Sequence, residues 1–91
     1  MARSKIDLDA LKQFRLRLQE IRNDLKDRQA LTDAVVSDAK TFWKEDAYPI
    51  FVARHSEANL SITRFIRQCD AHLDWLAEKE RRGRNALNYP L

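Results

Sequence analysis

Cys69 and His72 stand three residues apart, the separation that places two metal ligands on one face of a helix. A structural zinc site takes four ligands in tetrahedral array, and His55 lies more than three helical turns from Cys69. The pair therefore reads as a buried thiol and a hydrogen-bonded histidine in an apolar seam. Asp70, Asp74 and Glu78 recur at every fourth position, which makes a row of carboxylates on the outside of a helix beside Lys and Arg, with no acid and base facing each other. A single Gly leaves no phosphate-cradling loop, and no Ser, His and acid are grouped for nucleophilic attack. The expectation is a non-enzymatic chain with no catalytic residue, no metal ligand and no cofactor.

The densest charge is basic. Lys79-Glu80-Arg81-Arg82-Gly83-Arg84 joins Arg15, Arg17 and Arg22 if the chain folds back on itself. Arg15, Arg22, Lys79, Arg81, Arg82 and Arg84 are then candidate phosphate contacts, and nucleic-acid association or regulation through this basic end is the alternative function. Asp9, Glu20, Asp24 and Asp27 dilute the patch, and a net charge of +3 over 91 residues does not by itself call for a polyanion.

The elements that position these residues follow from apolar periodicity. Steps of three and four from Leu11 give Leu11, Phe14, Leu18, Ile21, Leu25, Arg28, Thr32, Val35, Ala39 and Phe42, a seam of helical period. The same count from Tyr48 gives Phe51, His55, Ala58, Ile62, Phe65, Cys69, His72, Leu76 and Lys79. A first helix is expected over about 7–44 with Asp7 as N-cap, a turn at 45–47, and a second helix over about 48–82. Asp46 can cap the second helix, and Pro49 is tolerated in its first turn. Gly83 is a C-cap signal, with a tail over 83–91. One Gly and two Pro in the whole chain agree with an all-α domain.

So short a connection predicts an antiparallel hairpin whose paired positions sum to about 90, bringing Phe14 to Leu76, Ile21 to Cys69, Leu25 to Phe65 and Ala39 to Phe51. Val52, Ile66 and Leu73 then form a further apolar column that a single hairpin leaves uncovered. Pairing through that column with a second copy or a related hairpin would give a four-helix bundle, which is the expected state of so small a domain. The hairpin also separates charge. Residues 1–28 and 79–84 hold 12 of the 17 Lys and Arg and 6 of the 14 Asp and Glu, so the two ends of the rod differ in sign.

Between the two seams runs Thr41-Phe42-Trp43-Lys44-Glu45-Asp46-Ala47-Tyr48-Pro49-Ile50-Phe51. With Trp43 before the turn and Phe51 early in the second helix, the chain resembles the WXG-type, ESAT-like hairpins associated with type VII secretion. Glu45 stands where that family has Gly, so Asp46 would have to shape the turn, and Tyr89 is followed by Pro90-Leu91 without the acidic residue of the family's export signal. The resemblance implies a dimeric adaptor, effector or escort whose partner is another such hairpin, a secretion ATPase or a toxin. Trp43, Tyr48 and Phe51 at the turn and Val52, Ile66 and Leu73 on the second helix are the candidate partner-binding residues. One Cys, no apolar leader and no membrane-length segment lead to the expectation of a cytoplasmic protein.

Overall fold

Asp7 begins the first helix by accepting bonds at Oδ1 from the backbone N–H groups of Asp9 and Ala10, at 3.0 and 3.1 Å. These are two of the donors that a helix start leaves without an intrahelical partner. The computed structural model describes residues 6–88, in which α1 (Leu8–Asp38) passes through a 3-10 turn (Ala39–Thr41) and a short connection into α2 (Ala47–Asn88). The chain is an all-α hairpin, with no strand among the described residues. The two helices lie antiparallel in a rod of 72 × 18 × 15 Å.

The reversal needs no left-handed residue, since no described residue has positive φ. The N–H groups of Phe42 and Trp43 both donate to the Ala39 carbonyl, closing α1. The Tyr48 N–H donates to the Glu45 carbonyl as α2 begins. Trp43 then fills the bend, its ring centroid 5.5 Å from those of Tyr48 and Phe51, and its indole N–H donates to Glu45 Oε1 at 2.8 Å. The Tyr48 hydroxyl donates to the Val36 carbonyl at 2.8 Å, tying the first turn of α2 to the last turn of α1.

The seam differs by one column from the one that apolar periodicity predicts. On α2 the fully buried apolar side chains are Ile66, Cys69, Leu73 and Leu76, so Ile66 and Leu73 lie between the two helices of one hairpin and Val52 lies half-buried in the same column. They are not an uncovered face. On α1 the inward row is Leu8, Leu11, Arg15, Leu18, Arg22, Leu25, Gln29, Val36, Ala39 and Trp43, all half-buried. Phe14, Ile21, Val35 and Phe42, assigned to the seam by periodicity, are exposed, as are Phe51, Ala58, Phe65 and His72 on α2. The pairing sum is close to expectation, as the contacts of Leu8 with Gly83 and of Arg22 with Asp70 illustrate. The helices are each rotated about their axes relative to the expected pairs.

The reason is visible across the seam. Arg15, Arg22 and Gln29 occupy inward positions because α2 offers each a partner: Arg15 donates to Glu80 at 2.8 Å, Arg22 is held by both oxygens of Asp70 at 2.7 and 3.2 Å, and Gln29 donates to Thr63 Oγ1 at 3.0 Å. The arginine stems cover apolar surface while their heads are bonded. Glu80 is itself buried, between Arg15 and Arg84.

α1 ends at Asp38, short of the expected residue 44, whereas α2 runs on to Asn88. Gly83 is consequently an interior helix residue and not a cap. A Cβ there would lie 2.7 Å from Leu8 Cδ2, so Gly lets the open ends of the two helices approach closely. That Leu8 methyl borders an open groove with Ile6 and Trp75 and has room to turn away. Gly83→Ala is therefore expected to raise stability, by about 0.5 kcal/mol, because the roughly 1 kcal/mol gain in helix propensity exceeds the cost of moving one rotamer. Urea melts of the two chains check it.

Candidate partner-binding face

Residues seven apart on a helix stay nearly in line, drifting by about 20°. Phe14, Ile21, Arg28 and Val35 make one such line on α1, with Phe42 just past the 3-10 turn at its end, and Phe51, Ala58, Phe65, His72 and Lys79 make another on α2. Both flank the seam on the same side. Arg28, Thr32 and Ala58 line one groove together with the seam residues Leu25, Gln29, His55, Asn59 and Ile62. At the turn, Phe51 stacks on His55 with rings 10° from parallel. The result is a strip of six large apolar side chains along one side of the hairpin, with Phe14 57%, Phe65 50% and Phe42 77% exposed. Leu31 and Trp75, also exposed, lie at its outer edges, and Lys79 Nζ sits 5.8 Å over the Trp75 ring. Single exposed apolar residues are ordinary; six aligned along one flank are a different matter.

The opposite side is polar and bridged. Asp33, Thr63, Asp70 and Arg84 lie there, each bonded to the other helix: Asp33 to His55 Nε2 at 2.8 Å and to the Asn59 amide, Thr63 to Gln29, Asp70 to Arg22, and Arg84 to Asp9 at 3.4 Å. One flank of the hairpin is closed by its own side chains and the other is left apolar.

Of the candidate partner-binding residues, Trp43, Tyr48 and Phe51 come together at the turn. Val52, Ile66 and Leu73 belong to the interior seam. The basic candidates do gather at the open end, but carboxylates of the same molecule engage most of them. Arg15 is on Glu80, Arg22 on Asp70, Arg81 and Arg82 both on Glu78, and Arg84 on Asp9 and Glu80. Cys69 faces inward while His72 faces out, which separates the two groups whose spacing suggested a shared face. Among the described residues, no three His, Cys, Asp or Glu side chains are grouped as metal ligands, and no helix is long and apolar enough to cross a membrane.

The ion pairs shape the acid response. The Arg81 and Arg82 guanidiniums hold the Glu78 carboxyl down at about 2. Arg22 lowers Asp70, Arg15 lowers Glu80, and the hydrogen bonds from His55 and Asn59 lower Asp33. A carboxyl depressed in the fold contributes stability that is fully present above its unfolded pKa and is lost as pH falls through the folded value. The thermal midpoint is therefore expected to fall as pH is lowered from about 5 to about 2, below the ordinary carboxylate range. A calorimetric series checks this, and Asp70→Asn is expected to flatten part of the slope.

The class defined by this geometry is an all-α helical hairpin with one bridged polar flank and one apolar flank. Compared with protein-family models, with curated proteins and with solved structures, the chain matches none.

Proposed function

We propose that this chain is a small non-enzymatic protein–protein interaction module of the cytoplasm, and that it binds its partner through the apolar flank bounded by Phe14, Ile21, Val35, Phe42, Phe51 and Phe65. The observation that carries this reading is the contrast between the two flanks. Cross-bonded polar residues fill one, whereas the other keeps large apolar side chains in water along the length of the rod. Apart from Phe51, which packs on Trp43 at the turn, these side chains are at least half exposed, and burying them against a partner is favourable by about 25 cal/mol per Å² of apolar surface removed from water. The resemblance to WXG-type hairpins, with Trp43 and Phe51 packed at the turn, supports an adaptor, effector or escort role for the module. Nucleic-acid binding at the basic end is less favoured, because binding phosphate there would have to displace the carboxylates already on Arg15, Arg22, Arg81, Arg82 and Arg84.

The test couples the wild-type chain and the Ile21→Glu/Phe65→Glu variant to beads, offers each the lysate of the source cell at low and high salt, and measures the protein and nucleic acid retained. Both substituted residues are exposed, so the variant is expected to keep its helical circular dichroism. Proteins held by the wild type at both salts and lost by the variant are the expected result. Retention of nucleic acid that falls steeply with salt, equal in the two chains, would overturn the reading in favour of the basic end.

A further inference from the structure

We infer that the occupant of the apolar flank is a second copy of this chain, laid face to face with its long axis reversed, so that α1 of one copy lies on α1 of the other and α2 on α2. This rests on the interaction-module reading above and names its partner. Three observations lead to it.

The first is the pattern of the strip. Along α1 and on past the 3-10 turn the line reads Phe14, Ile21, Arg28, Val35, Phe42, which is nearly the same in both directions about Arg28. A twofold axis through that midpoint, in the plane of the flank and across the rod, sets Phe14 on Phe42 of the second copy and Ile21 on Val35 of the second copy. Self-complementarity of this kind is what a twofold interface requires. On α2 the same axis passes Phe65, which then meets Phe65 of the second copy. Arg28, the polar residue at the centre, is already held by Asp24 at 3.0 Å, so two neutralised pairs meet at the axis and penalise any shift of register.

The second is area. From Phe14 to Phe42 the strip runs about 42 Å, and the flank that carries it, taken across the 18 Å width of the rod, covers roughly 750 Å². A stable interface takes about 800 Å² per partner.

The third is charge. Residues 6–28 and 79–84, at the open end, carry ten Lys and Arg against six Asp and Glu, and residues 29–78 carry five against eight. Reversing the second copy sets each positive end against a negative one. The parallel alternative would set the two positive ends together, which orientation-dependent electrostatics disfavours.

Light scattering and sedimentation equilibrium of the wild-type chain test the partner. The expected result is a dimer that persists at high salt, and an Ile21→Glu/Phe65→Glu chain with unchanged helicity whose dimer dissociates on the order of 100-fold more readily. Engineered thiols test the arrangement. Under mild oxidation, an equal mixture of Phe14→Cys and Phe42→Cys chains should form the mixed disulfide in preference to either symmetric one, and Phe65→Cys should link to itself. Preference for the Phe14→Cys symmetric product would overturn the reversed orientation. A wild-type monomer that still captures other proteins through Ile21 and Phe65 would assign the flank to a different chain, overturning this inference and sparing the interaction-module reading. A monomer whose captured proteins do not depend on those residues would overturn both.

Discussion

Replacing Ile66 and Leu73 together by glutamate is expected to unfold the hairpin. Ile66 is 4% exposed and Leu73 7%, and both sit on the buried column of α2 that faces α1. Truncating either to Ala would cost about 2–4 kcal/mol in lost contacts and residual cavity. A carboxylate at such a site adds the cost of desolvating a charge, and two of them would lie seven residues apart in a seam whose inward cations, Arg15 and Arg22, are already bonded to Glu80 and Asp70. Only Cys69 and Leu76 would remain as buried apolar side chains among the described residues. Against a typical domain stability of about 5–15 kcal/mol, the double change removes most or all of the folding free energy. The measurement is far-UV circular dichroism with a urea melt. A chain that stays fully helical with a cooperative transition and loses only its partner would return Ile66 and Leu73 to an outer face. The Ile21→Glu/Phe65→Glu chain is the internal comparison, since its charges point to solvent.

The second large effect is expected at the turn. Trp43→Ala should lower stability by about 2–3 kcal/mol, because one half-buried ring contacts both Tyr48 and Phe51 and anchors its N–H on Glu45. The consequence extends beyond energy. No residue of the connection adopts positive φ, so nothing in its backbone enforces the reversal in the way a left-handed Gly does. Closure rests on the packing of Trp43 and on the Tyr48 hydroxyl at the Val36 carbonyl. With the ring gone, a form in which the two helices run on as one and pair with another extended chain gains population relative to the closed hairpin. Size-exclusion chromatography of the variant after refolding at high concentration should show this slower-exchanging species. An unchanged melt together with an unchanged elution profile would place the determinant of the turn elsewhere. Tyr48→Phe, which removes the single bond to Val36 and keeps the ring, is expected to show the smaller effect of about 1 kcal/mol.

The outward-facing residues that periodicity assigned to the seam were misplaced for one reason. Leu11, Leu18, Leu25 and Ala39 are shared by two possible seams, completed either three residues on by Phe14, Ile21, Arg28 and Phe42 or four residues on by Arg15, Arg22, Gln29 and Trp43. At 100° per residue those columns sit about 60° to one side and about 40° to the other of the shared row, so a helical count accommodates both. Counting apolar residues favours the first, which is the one the fold leaves outside. The signal for the second was present in the polar residues: Arg15 and Arg22 on one helix, with Glu80 and Asp70 on the other at nearly the same pairing sum, are bonded in the structure. Complementary charges across the expected hairpin mark that second seam where apolar residues alone do not.

Two helices, their antiparallel pairing, the Asp7 cap and the place of the turn follow from local properties of this chain: helical period over two long stretches, a capping carboxylate, and an aromatic break with few Gly or Pro elsewhere. Each of these depends on neighbours a few residues away, and such neighbours are read directly from the chain. Which column of each helix turns inward was settled only by the tertiary structure. That choice depends on groups some fifty residues apart satisfying one another, as Arg22 and Asp70 do at 2.7 Å, and on Ile66 and Leu73 finding cover on α1. A buried charge is tolerated only where its partner arrives, and that condition is a property of the folded pair of helices and not of either one alone.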